Sequence, residues 1–160
     1  MVYNEIIKIE GEIYMENKKY ELTDITMKFK GRTLYRIRAL KDFRDVEAGD
    51  LGGWIQSENN LSQKGDCWIY NEAKCMDNAK IYDNSTMHNN SVMCDFSEMH
   101  DNSVMYDYSK IYDRSRMYDH SEIHDYSIMH DYSEMHDNSV LYGYGELYED
   151  TVLDGQEKWH

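Results

Sequence analysis

The chain has 160 residues, a formal net charge of −14, 41% hydrophobic residues and three cysteines. That length suits one ordinary domain or one domain with a cap, and so polar a composition argues against a thick globular core. No stretch reaches the apolar length of a membrane span, and the three thiols, with no CxxC pair, supply neither a disulfide framework nor a zinc pair.

Charge is unevenly placed. Residues 1–68 hold 11 basic and 12 acidic side chains and residues 69–160 hold 6 and 19, giving −1 and −13. The opening "MVYNEIIKIEGEIY" lacks the basic start and apolar centre of a signal peptide, so a cytoplasmic protein with no membrane partner is expected. Residues 1–50 read as a small N-terminal β cap. Within "KKYELTDITMKFKGRTLYRIRALKDF", Tyr35, Ile37 and Ala39 alternate with Arg36 and Arg38, and Gly31 marks a hairpin. Residues 28–44 carry seven basic residues and one acid, which makes this head locally basic.

From Ile69 a six-residue period takes over. An apolar side chain recurs at position i, from Ile69 and Cys75 through Met105 and Ile111 to Leu153, and position i+4 is small, from Ala73 through Ser85 and Ser139 to Thr151. Position i+2 is Asp or Asn from Asn71 to Asp137. Six matches neither the 3.6 of a helix nor the alternation of a flat strand; it is one side of a β-helix coil. Positions i and i+4 point inward, and the Asp or Asn supplies a corner that tolerates left-handed backbone. Residues 69–153 thus predict about five triangular coils, followed by a tail at 154–160.

Three hexads close a coil, so residues eighteen apart stack at about 4.8 Å. The i+1 ladders then read Tyr70, His88, Tyr106, His124, Tyr142; Met76, Cys94, Tyr112, His130, Tyr148; and Tyr82, His100, Tyr118, His136, Asp154. Lys80, Glu98, Arg116 and Glu134 form an i+5 ladder of alternating sign. Histidines of one ladder lie two coils apart, about 9.6 Å, too far to share an ion with ligand bonds near 2 Å. No metal site is expected. Cys67 and Cys75 fall inward and Cys94 outward, all three expected to be inert. His120 sits at a corner without a partner in view, and no catalytic residue or cofactor is assigned.

"GRTLYRIRALKDFRDVEAGDLGGWIQSENNLSQKGDCWIY" followed by "AKIYDNS" hexads resembles a family of hexapeptide-repeat proteins common in phages, prophages and bacterial genomes, some of which carry transferase labels. The resemblance covers about residues 18 to 153. It implies an all-β fold, a left-handed parallel β-helix, with Leu51, Trp54, Ile55 and Leu61 in irregular opening coils at 51–68. It supplies no established activity.

The function expected is that of a non-enzymatic binding or inhibitory protein. Its acidic rod would mimic nucleic acid and block a basic surface on a host defence or nucleic-acid-binding protein. The rod itself repels phosphate, so direct nucleic-acid binding is not expected. The candidate contacts are Asp107, Asp113, Asp125, Tyr106 and Tyr112 on the rod, with Arg36, Arg38 and Arg44 on the head as a second contact. Two alternatives stay open: an acyltransferase using acyl-CoA, as many left-handed β-helices are, and a purely structural rod whose charge only keeps it soluble. A homodimer or other homo-oligomer is expected, through the C-terminal edge unless "DGQEKWH" folds over it, or through the outward apolar residues Val92, Cys94 and Ile128.

Overall fold

The computed structural model describes residues 17–160 and the backbone of 6–9 and 12–15; the rest of the predicted cap lies outside the described residues. From Trp68 onward, sixteen two-residue strands follow one another at six-residue intervals, ending with Lys158–Trp159. Each is parallel to the strand eighteen residues away, for example Val104–Met105 between Thr86–Met87 and Glu122–Ile123. Three sheets result, one on each side of a left-handed parallel β-helix. Backbone hydrogen bonds join successive coils, such as Tyr106 N to Ile123 O at 2.9 Å.

The core is a single column. Every position i from Ile69 to Leu153 is buried, and so is every serine at i+4. Serine is tolerated inside because, Ser139 apart, its hydroxyl turns back to its own coil: Ser85 Oγ donates to Tyr82 O at 2.8 Å and Ser103 Oγ to His100 O at 2.9 Å. Methionine suits this narrow column because its unbranched, flexible chain adapts to the space between coils. The corners are as expected, with Asp77 through Asp137 at φ between 56° and 62°.

The helix has about six turns, one more than the hexads predict. Leu51–Ile55 pairs in parallel with Lys74–Cys75, and Leu61 bridges to Ile81, so residues 51–69 form a first coil without hexad spacing. Asn60 makes this possible. Its buried amide donates to Asp77 O at 3.1 Å and Ala79 O at 2.9 Å, and its carbonyl accepts from Ser57 N at 2.9 Å. Gly52 and Gly53 are required here because a Cβ on either would strike Trp68 or Ile69. At the other end, residues 154–160 do not fold over the last coil. They continue it: Gly155 takes the corner at φ 65°, and Lys158–Trp159 pairs with Val140–Leu141.

Among the cap strands, β1 (Ile6–Ile9) and β2 (Glu12–Met15) form an antiparallel pair. Strands β3 (Tyr20–Phe29) and β4 (Arg32–Ala39) form the predicted hairpin around Gly31, and β4 runs antiparallel to β5 (Leu51–Ile55). The hairpin therefore prolongs one side of the solenoid by two strands. One end of it joins the column, where Tyr20, Ile37, Ala39, Phe43 and Val46 share the core with Trp68. Tyr20 and Phe43 meet the indole edge to face at 6.2 and 5.3 Å. The other end lies on the outer face, where Met27, Phe29 and Leu34 cover Trp54, Met76, Val92 and Cys94.

Candidate binding surface

The corner aspartates form rows along the edges. Asp107 and Asp125 belong to one row and Asp113 to another, so the candidate acids occupy two edges. Each carboxylate is held by the next coil, Asp107 accepting from Asp125 N at 3.4 Å, Asp113 from Asp131 N at 3.2 Å and Asp125 from Gly143 N at 2.9 Å; Asp107 also accepts from Asn89 Nδ2 of the preceding coil at 2.8 Å. The same geometry that satisfies the corners thus fixes a regular array of negative charge.

Beside each row stands an i+1 column of stacked rings. His100 lies between Tyr82 and Tyr118, both at 5.1 Å, and Tyr112 stacks on His130 at 5.2 Å. Tyr106 stacks on His88 at 4.9 Å. Partial burial pushes the phenols of Tyr106 and Tyr112 above their ordinary range, helped by Glu122 and Glu146 respectively, so both stay neutral. The alternating i+5 ladder also forms, with Arg116 3.6 Å from Glu98 and 3.5 Å from Glu134. A second aromatic row escaped the sequence reading: Tyr108, Tyr126 and Tyr144 at i+3 stack at 5.2 and 5.4 Å, and Arg114 lies between Phe96 and Tyr132 at 5.7 Å from each. The eighteen-residue rule that gave the i+1 ladders would have shown it.

The arginines of the head are engaged within the molecule. Arg36 pairs with Glu72 at 2.7 Å over the Trp54 ring, Arg38 pairs with Glu21, and Arg44 donates to Asn84 O at 2.9 Å. Arg32 grips Asp77 with both Nε and Nη2, at 2.8 and 3.0 Å. Arg32, Arg36 and Arg44 therefore fasten the cap to the rod, while Arg38 pairs within the hairpin. Lys19, absent from the sequence reading, is buried and donates to Gly65 O, Cys67 O and Cys67 Sγ at 3.1, 2.9 and 3.3 Å; burial pulls its amine below the usual lysine range.

The expected outward apolar patch is corrected. Val92 is buried under the hairpin, while Cys94, packed against the same cluster, and Ile128 stay partly open. Burial, then the neighbouring Asp95, pushes the Cys94 thiol up to about 12, and burial likewise raises Cys67 and Cys75. Histidines stay apart from one another as expected, but carboxylates close around them: Asp83, His100 and Asp101; Asp107, His124 and Asp125; Asp113, His130 and Asp131; Asp119, His136 and Asp137 each bring three ligand-type atoms within 4.8 Å. Among the described residues no helix is long and apolar enough to cross a membrane.

No family model matches the chain. The chain is similar to "Uncharacterized acetyltransferase YdcK" of Escherichia coli (strain K12), 41% identical over 63 residues; the match spans 34% of this chain and 19% of that protein.

Proposed function

We propose that this protein is a non-catalytic binding module whose acidic solenoid occupies a basic, nucleic-acid-type surface on a protein partner. The observation that carries the reading is the aspartate array: corner carboxylates one coil apart along the edges, those from Asp83 to Asp131 each fixed by a backbone N–H of the next coil. A rigid row of anions at about 4.8 Å spacing loses little freedom on meeting a cationic groove and speeds encounter through long-range attraction. Interference with a host defence or nucleic-acid enzyme is the role such a decoy fits. Affinity capture on the immobilised chain, followed by elution with either salt or double-stranded DNA, tests it. The reading expects retained proteins with basic nucleic-acid grooves that both eluents release; retention that DNA does not displace contradicts it.

The similarity to a protein named as an acetyltransferase favours a second reading, acyl transfer from acyl-CoA. Calorimetric titration with acetyl-CoA separates the two. Micromolar binding supports transfer, and no heat at millimolar ligand removes it.

A further inference from the structure

We propose that the Asp113–His130–Asp131 cluster binds a divalent transition-metal ion of the zinc type, and that three further clusters on the same plan do so too. The argument starts from His130. Its Nδ1 lies 3.1 Å from Asp131 Oδ2 and its Nε2 lies 2.9 Å from Glu146 Oε1. In the tautomer whose Nε2–H donates to Glu146, the Nδ1 lone pair faces the Asp131 side of the ring. That edge is where a cation would sit. Asp113, from the preceding coil, brings a second carboxylate, and the three ligand-type atoms lie within 4.8 Å of one another. Glu146 on the far nitrogen then completes a carboxylate–imidazole–metal relay, the outer arrangement that orients ligating histidines. Tyr112 and Tyr148 hold the ring in place at 5.2 and 6.1 Å.

The plan repeats because whole coils alternate at i+1. Tyr106, Tyr112 and Tyr118 form one coil, and His124, His130 and His136 form the next. In consequence each aspartate belongs to one cluster only, and no two sites compete for a ligand. The Nδ1 to Oδ2 separations for His100, His124 and His136 are 2.8, 3.1 and 3.2 Å. Adjacent ligands around an ion with bonds of 2.0–2.2 Å lie about 2.8–3.4 Å apart, so the histidine and its adjacent aspartate already stand at ligand spacing. Two carboxylates and one neutral imidazole balance a divalent charge, and the imidazole selects zinc-like ions over calcium or magnesium. His88 is the internal contrast: its corner neighbours are Asn71 and Asn89, and it belongs to no cluster.

Zinc titration of the chelator-treated full chain, followed by calorimetry with circular dichroism as the folding check, tests the proposal. Four equivalents are expected, since in the fifth such group, Asp77, Cys94 and Asp95, both oxygens of Asp77 are already held by Arg32. His130→Phe, which keeps the ring stack, should lower the count by one; the combined His124→Phe, His130→Phe and His136→Phe change should lower it by three; His88→Phe should leave it at four. Should a Phe variant lose its β signal, Asp131→Asn, which preserves the corner, takes its place with the same expected loss of one. Absence of saturable zinc binding, a count unmoved by these changes, or displacement of zinc by equimolar magnesium overturns the proposal. Its failure leaves the binding-module reading untouched, since partner capture is measured in chelator.

Discussion

Asp107 shows how one side chain serves both backbone and surface. At φ 58° it occupies a conformation that β-branched residues avoid, while its carboxylate accepts from the adjacent coils. Asp107→Asn should therefore change stability by less than about 0.5 kcal/mol, and Asp107→Val should cost about 1–2 kcal/mol, in urea unfolding. His88 gives a pH test. Burial, with Arg44 assisting, lowers its pKa against the opposing pull of Asp45. The unfolded chain then binds a proton that the fold refuses, so this contribution is complete above about pH 6.5 and is lost as pH falls from there to the lower folded value. His88→Phe should flatten that part of the stability profile. Corner residues were legible in the sequence because the left-handed preference is local. The surroundings of His130 were not, because histidines were compared only with histidines, whereas the ligand-type partners are Asp113 one coil back and Asp131 beside it.

Strands of two residues depend wholly on register, since a slip by one exchanges core and solvent faces. Met105 is fully buried, while Val104 lies outward beside Thr86 and Glu122. Met105→Asp should cost more than about 4 kcal/mol or abolish folding, because an unpaired carboxylate enters the column; Val104→Asp should cost about 1 kcal/mol or less. Equal melting temperatures for the two would contradict the register. Trp68, buried between Tyr20 and Phe43, joins cap to column, so Trp68→Ala should cost about 3–5 kcal/mol in the same assay. The hexads announced their coils through inward residues at i and i+4. The first coil did not, because Asn60, Gly52 and Gly53 shape it through individual contacts without a period. The last strand was missed for a simpler reason: at position i Trp159, exposed at the end of the column, stands where every earlier coil has a smaller buried side chain.

The whole molecule is an acidic rod whose basic head is spent on internal pairing, so its net charge of −14 is poorly offset at the surface. Self-repulsion along the aspartate rows predicts that the melting temperature rises as sodium chloride increases from 10 to 150 mM, a range over which the screening length falls from about 30 Å to about 8 Å. The most direct test of the binding account compares capture by the native chain with capture by a variant carrying Asp107→Asn, Asp113→Asn and Asp125→Asn, with folding checked by circular dichroism. Asparagine keeps the left-handed corners and removes the charge. The account predicts an unchanged β spectrum and loss of the salt-eluted partner, whereas full retention of that partner would show that the carboxylates serve the corners alone.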